Sequence, residues 1–313
     1  MGQRVAVLFL SSLAWLYYGL PYTVRRLVAG VVAALMYIGG LRRDVVRANL
    51  ERAFPGEDAA VLRAQIESRS YQHLAQLGFE ILMLFGPMRR FVERQVEVRG
   101  VEHWQKAHDE GTGIILLSSH LGNWEIMVAA GALHAKMDLL IVTKHLKPEW
   151  LHRRIERGRR ACGVSATYEP QTLKDVLGHL DRKGTIGFVL DQYSGPPVGV
   201  RVPVFGTPVG TPNVVAALSR RTGAPVLPVV NYRTPDGRFV VEIRPALEWR
   251  SDPRYSGSEL ANFELAANTA LYASVLEEDI KAHPEQWLWI HRRFKGDLTP
   301  LKADEWLKGR SRR

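Results

Sequence analysis

A single cysteine, Cys162, stands in a chain of 313 residues. One thiol forms no intramolecular disulfide and founds no cysteine-based zinc site. Acidic residues are also scarce, 32 Asp and Glu against 42 Lys and Arg, for a formal charge of +10. Such a balance favours anionic partners: nucleic acid, phospholipid headgroups or an acidic protein. Internal repeats and low-complexity tracts are missing as well. What is present, 46% hydrophobic and 24% charged residues, excludes an intrinsically disordered chain. The length suffices for one large domain or two small ones with ample core.

The chain opens on long uncharged, apolar runs. Val5 to Tyr22 carries no charge, Arg25 and Arg26 interrupt, Leu27 to Leu41 is uncharged again, and Arg42 and Arg43 follow. The first run is at the lower limit for spanning a bilayer; the second is too short unless it tilts or lies in the interface. Trp15, Tyr17, Tyr18 and Tyr22 gather near one end of the first run, where amphipathic rings favour the headgroup zone. The arginine pairs beyond them belong on the side of cytoplasm and anionic lipid. A cleaved signal peptide fits poorly, because no A-x-A site precedes a polar mature region. A pair of buried core helices is the plainer alternative. The reading taken is a membrane-anchoring helical segment over 1–43, spanning or interfacial.

Residues 44–95 read as a helical region. Arg47 to Phe54 and Ala59 to Leu84 have helical spacing, separated by Pro55-Gly56. From 96 to 313 the pattern becomes α/β. Strands are expected at Gly113 to Ser119, Asp138 to Thr143, Thr185 to Leu190, Pro225 to Tyr232 and Phe239 to Arg244. Helices are expected at Trp124 to Lys136, Glu149 to Gly163, Thr172 to Arg182 and Glu259 to Lys281. This alternation implies a mostly parallel central sheet flanked by helices. The basic tail Gly309 to Arg313 reads as frayed.

Chemistry concentrates in Gly113 to Glu125, GIILLSSHLGNWE. An apolar strand ends at Ser118-Ser119-His120, Leu121-Gly122-Asn123 turns the chain, and Trp124-Glu125 opens a helix with Asn123 as its N-cap. Within one regular helix, residues five apart cannot meet; across a strand–turn–helix corner they can. His120 then sits at the strand's C-terminal edge, where open α/β sheets bind ligands. A carboxylate at one imidazole nitrogen fixes the tautomer and supports proton transfer at the other, so His120 and Glu125 suit a base–orienter pair. The nucleophile is a chain serine or a substrate hydroxyl. The plain alternative is a histidine at a strand end and a glutamate on a solvated helix end.

HLGNWE resembles the HxxNWE motif of the bacterial lipid A late acyltransferases, within the glycerolipid acyltransferase superfamily. Further blocks resemble the same family: Arg47-x-Asn49-Leu50 with Ala53-Phe54-Pro55, Asp191 with Val202 to Gly206, Gly223 to Pro228, and Pro284 to Lys295. Asp191-Gln192 and Trp287 depart slightly from its pattern. The resemblance covers nearly the whole chain. It implies transfer of an acyl chain from a thioester, on acyl carrier protein or coenzyme A, to a hydroxyl of a phosphorylated glycolipid. It implies location at a bacterial inner membrane, with the site facing the cytoplasm.

Carried over, His120 is the general base and Glu125 orients it, and no metal or cofactor is called for. Arg159, or Arg157 or Arg160 if the register slips, is carried over as the family's site arginine and Asp191 as its aspartate; with Asn123, and with Gly206 as a close backbone approach or a plain tight turn, they make the expected substrate contacts. Ser118 and Ser119 make poorer nucleophiles, since no G-x-S-x-G elbow is present. Cys162 reads as structural. Arg153, Arg154, Arg157, Arg159 and Arg160 form a basic helix, either a solvated face or a clamp for phosphate or carrier protein; Arg292 to Lys295 is a second basic stretch. Trp287, Trp289 and Phe294 read as core packing rather than as a base-stacking strip, and nucleic acid is not an expected partner. The competing functions are acyl transfer to a lyso-phospholipid, ornithine lipid or mannoside, and a non-catalytic membrane lipid-binding role.

Overall fold

The computed structural model describes residues 2–195 and 198–295; the expected basic tail lies outside the described residues. Four helices come first: α1 (Gly2–Gly19), α2 (Tyr22–Ile38), α3 (Arg43–Ala53) and α4 (Ala60–Leu82). Then follow α5 (Met88–Gln95), β1 (Val96–Arg99), α6 (Val101–Asp109), β2 (Ile114–Ser118), α7 (Trp124–His134), β3 (Leu139–Val142), α8 (Glu149–Ala161) and β4 (Val164–Thr167). The remainder is α9 (Thr172–Asp181), β5 (Thr185–Val189), β6 (Gly199–Val204), β7 (Thr207–Pro212), α10 (Val214–Thr222), β8 (Val226–Arg233), β9 (Phe239–Ile243) and α11 (Gly257–Ala282).

The main sheet has the order β1-β9-β8-β2-β5-β3-β4. Strands β8, β2, β5, β3 and β4 run parallel, β9 is antiparallel to β8, and β1 is parallel to β9. The expected mostly parallel α/β sheet is therefore present. Strand β2 reads IILLS and is buried along its whole length, as a central parallel strand covered on both faces must be. Ile114 and Leu116 face a core shared with α5, α6, α7 and α8. Ile115 and Leu117 face the opposite core, shared with α9, α10 and α11. This alternation follows from the two-residue period of a strand.

A third core crosses the expected boundaries: Ala29, Ala33, Val46, Leu50 and Tyr71 pack with Leu121, Trp287 and Trp289. The separate hairpin β6–β7 turns at Phe205-Gly206, with φ of +48° and +72°.

The N-terminal runs fold as two helices that bury three alanines with Tyr17 and Arg25 and turn most of their large aliphatic residues outward. Ala14, Ala29 and Ala33 are buried, whereas Leu8, Phe9, Leu16, Leu27, Val31, Leu35 and Ile38 are exposed. No single helix among the described residues is long and apolar enough to cross a membrane. Together α2 and α3 have the length and composition, but they meet at a bend of 94°. The spanning form of the expected anchor thus lacks a straight helix to build it.

Candidate active site

The corner between β2 and α7 is held from three directions. Gly122 has φ +62°, and a Cβ there would run into the Asn231 oxygens, so glycine is required. Asn231 accepts from Asn123 N at 2.6 Å and donates to Leu121 O at 2.9 Å. Gly122 N donates to Gln286 O at 3.0 Å. The Asn123 side chain accepts from Glu125 N and Ile126 N at 3.0 and 3.1 Å, which is the expected N-cap. Its amide nitrogen donates to Glu80 at 3.2 Å, and the residue is wholly buried. Asn123 therefore serves the corner and is not among the residues that line the crevice described below.

His120 lies two residues beyond Ser118, and Asp191 two residues beyond Val189. Ser118 and Val189 are register partners on the adjacent parallel strands β2 and β5. The two side chains thus emerge side by side on one face of the sheet. His120 Nδ1 lies 2.7 Å from Asp191 Oδ1, and the His120 backbone N donates to Oδ2 at 2.8 Å. Trp287 Nε1 donates to the same Oδ2 at 2.7 Å. Burial opposes ionisation of Asp191, but the imidazole and these donors prevail and bring its carboxyl down to about 2. Burial likewise opposes the imidazolium, yet Asp191 outweighs it and raises the His120 pKa above its ordinary value.

In this geometry the carboxylate at the His120 ring is Asp191, and Glu125 has a different partner from the one expected. Glu125, in the first turn of α7, points at α8. Arg159 Nε and Nη2 grip its two carboxylate oxygens at 3.0 and 2.6 Å, and Arg159 Nη1 holds Glu156 at 2.9 Å. Arg159 and Glu125 are both nearly inaccessible to solvent. Burial disfavours the guanidinium charge, but the two carboxylates win and raise its pKa.

His120, Glu125, Arg159 and Gln192 share one crevice of about 430 Å³ whose walls include Trp124, Met127, Val128, Ile141, Phe188 and Val189. With Asp191 accepting at Nδ1, the proton resides there and Nε2 is left as a base. Gln192 Nε2 stands 3.4 Å from it, and Trp124 meets the ring edge-on at 4.7 Å.

Other expected residues lie elsewhere. Gly206 forms the tip of the β6–β7 turn, with open space at its Cβ position, and is absent from the crevice walls. Ser118 and Ser119 are buried. Cys162 is buried in the core, which pushes its thiol up to about 11. Arg293, within the second basic stretch, is buried and donates to Gln192 O, Gly210 O and Thr211 Oγ1; burial lowers its pKa to about 10. It anchors the closing segment instead of offering charge to a partner. Trp287, Trp289 and Phe294 are buried, as the core reading expected.

Sequence reasoning missed the Trp287 donor and the buried brace under the corner. In that brace Arg233 grips Glu80 at 2.9 and 2.7 Å and meets His73 and Gln76. The position of Trp287 in the Pro284 to Lys295 block was the one available signal for the donor. The blocks themselves converge: Asn49 donates to Trp289 O and His291 O, both at 2.7 Å.

Residues 3–296 match the family of bacterial lipid A biosynthesis acyltransferases. The chain is 26% identical over 285 residues to a lipid A biosynthesis palmitoleoyltransferase of Escherichia coli, covering 90% of this chain and 88% of that one. It is 27% identical, with the same coverage, to a lipid A biosynthesis lauroyltransferase of Escherichia coli. A phosphatidylinositol mannoside acyltransferase of Mycobacterium tuberculosis is 26% identical over 263 residues, 82% of this chain and 78% of that one. With a family match across nearly its whole length, the chain is an acyltransferase and belongs to the bacterial lipid A biosynthesis acyltransferases.

Proposed function

We propose that this enzyme moves a fatty acyl chain from a thioester on acyl carrier protein to a hydroxyl of a phosphorylated glycolipid, a lipid A precursor. The observation that carries the mechanism is the 2.7 Å contact of His120 Nδ1 with Asp191 beside a crevice that His120 itself lines. His120 Nε2 takes the proton of the acceptor hydroxyl as its oxygen attacks the thioester carbonyl. Asp191 stabilises the imidazolium that forms. When the C–S bond breaks, the imidazolium returns the proton to the leaving thiolate. The pKa elevation by Asp191 brings the base toward working pH, where general-base catalysis is most effective. The acyl chain lies against Met127, Val128, Ile141 and Phe188. Glu125 and Arg159 also line the crevice and hold α7 to α8; in this reading Glu125 acts on the crevice and not on the His120 ring.

The exposed apolar stripes on α1 and α2 support seating at a bacterial inner membrane, with the site toward the cytoplasm. Hydrocarbon of that extent is costly in water and is removed from it by lipid. The test is acyl transfer by purified enzyme, read by mass spectrometry, from acyl carrier thioester to a lipid A precursor lacking secondary chains. A gain of one acyl chain is expected. Preferential acylation of a phosphatidylinositol mannoside would overturn the acceptor, and preference for acyl-CoA would overturn the donor.

A further inference from the structure

A second concave site lies apart from the crevice, between the first helix and α8. It is a groove of about 420 Å³ lined by Gln3, Arg4, Val7 and Leu8 from α1 and by Trp150, Arg153, Arg154 and Arg157 from α8. None of these residues lines the crevice of His120. Four guanidinium groups converge on the groove, and no carboxylate lines it.

The four arginines are not equally free. Arg153 has a loose exposed pair with Glu149 at 3.6 Å. Arg154 donates to Phe85 O, while its Nε is buried with no partner; burial and the neighbouring Arg157 lower its pKa. Among the described residues, Arg4 and Arg157 have no ion pair. Four like charges with one loose carboxylate partner among them lower the cost of bringing in an anion, and guanidinium forks match phosphate oxygens.

The surroundings decide which anion. Leu8 belongs both to the groove and to the exposed stripe of Val5, Phe9 and Leu16 on α1. An occupant with phosphate in the groove would lay hydrocarbon along that stripe. A carrier protein would instead place its hydrated acidic surface against Val7, Leu8 and Trp150.

We propose that this groove binds the phosphate headgroup of an anionic bilayer phospholipid, which docks the enzyme on the membrane without entering the reaction. The proposal rests on the membrane seating put forward above. Each basic residue near an anionic surface contributes about 1 kcal/mol, so losing two gives about a thirtyfold change in binding.

The experiment is vesicle co-sedimentation of the full chain with two compositions, phosphatidylcholine alone and equal parts phosphatidylcholine and phosphatidylglycerol. The double variant Arg4→Glu with Arg157→Glu should lose about thirtyfold or more on the anionic vesicles and nothing on the neutral ones. In detergent, its KM for acyl carrier thioester should stay at the wild-type value. Leu8→Asp, the control for the stripe, should weaken both vesicle types. A double variant within about threefold of wild type on anionic vesicles would overturn the headgroup site while leaving membrane seating intact. Unchanged vesicle binding with a raised KM for the carrier thioester would reassign the groove to carrier protein. A wild-type chain that bound neither vesicle would remove membrane seating and the groove proposal together.

Discussion

The crevice and the N-terminal helices invert each other's chemistry. Around His120 the protein buries charge: Asp191, Glu125, Glu156 and Arg159 are all nearly inaccessible. On α1 and α2 it exposes hydrocarbon: Leu8, Phe9, Leu16, Leu27, Leu35 and Ile38 each show well over half their surface. Buried charge survives only when paired, whereas a contiguous exposed apolar face marks a surface suited to contact with something other than water. The crevice satisfies its condition within the chain, through Asp191–His120 and Glu125–Arg159. The helices carry their hydrocarbon on the outer face of the described chain.

The sharpest way to break this comparison is at His120. His120→Ala should lower kcat by about 10²–10⁴ with the fold retained, because that is the span of general-base contributions. Adding Asp191→Asn to it should cost little more, since the two act as a unit. Steady-state rates with carrier thioester check both, and a single variant within about tenfold of wild type would end the base assignment. The pH profile adds a sign. The base works unprotonated, and Asp191 raises its pKa above the ordinary 6.5, so the acid limb of kcat/KM should lie above that value. Asp191→Asn removes the raising influence and leaves burial, so the residual activity should hold to lower pH.

Next in size is the second buried pair. Arg159→Ala leaves Glu125 and Glu156 without their cation and should destabilise the fold by about 3–5 kcal/mol in urea unfolding. Replacing Arg159 by methionine together with Glu125→Leu and Glu156→Gln, so that no carboxylate is left buried without its cation, should cost much less. Equal losses in the two variants would mean that the arginine acts other than through this pair.

On the outer region the expectation reverses. Leu27→Asp with Leu35→Asp should weaken vesicle binding by about tenfold or more, given about 1.5–3 kcal/mol for each fully buried leucine. Stability in detergent should change by no more than about 0.5 kcal/mol, since both side chains face away from the core. A large loss of stability would show that these faces are covered by protein. The smallest effect is expected at Trp287→Phe, which removes one donor from Asp191. Its carboxyl should rise from about 2 and stay ionised at neutral pH. The rate should fall less than about tenfold, in line with a single hydrogen bond of roughly 0.5–1.5 kcal/mol. Activity as low as that of His120→Ala would make the indole indispensable.

Periodicity made several elements readable: the buried run of β2, the N-cap at Asn123 and the length of α11 all lie where the pattern placed them. Short or unusual elements escaped it. Strand β4 is the four residues Val-Ser-Ala-Thr at the sheet's edge, with too few apolar positions to show alternation. The hairpin β6–β7 is studded with glycine and proline and resembles loop. It is a hairpin because Phe205 and Gly206 adopt the left-handed conformation that a tight two-residue turn needs.

By itself, the sequence determined the corner and the placement of His120 at a strand end, because each depends on neighbours a few residues away. Only the tertiary structure decided which carboxylate serves the imidazole. Glu125 is five residues from His120 and Asp191 is 71 away, yet Asp191 makes the bond. The reason is sheet order: β2 lies against β5 and not against β3, its successor in the chain. Parallel neighbours in register put equivalent side chains about 5 Å apart on one face. The turn of α7 meanwhile carries Glu125 to the arginine of α8. Strand adjacency is set by how whole layers pack, and no local pattern records it.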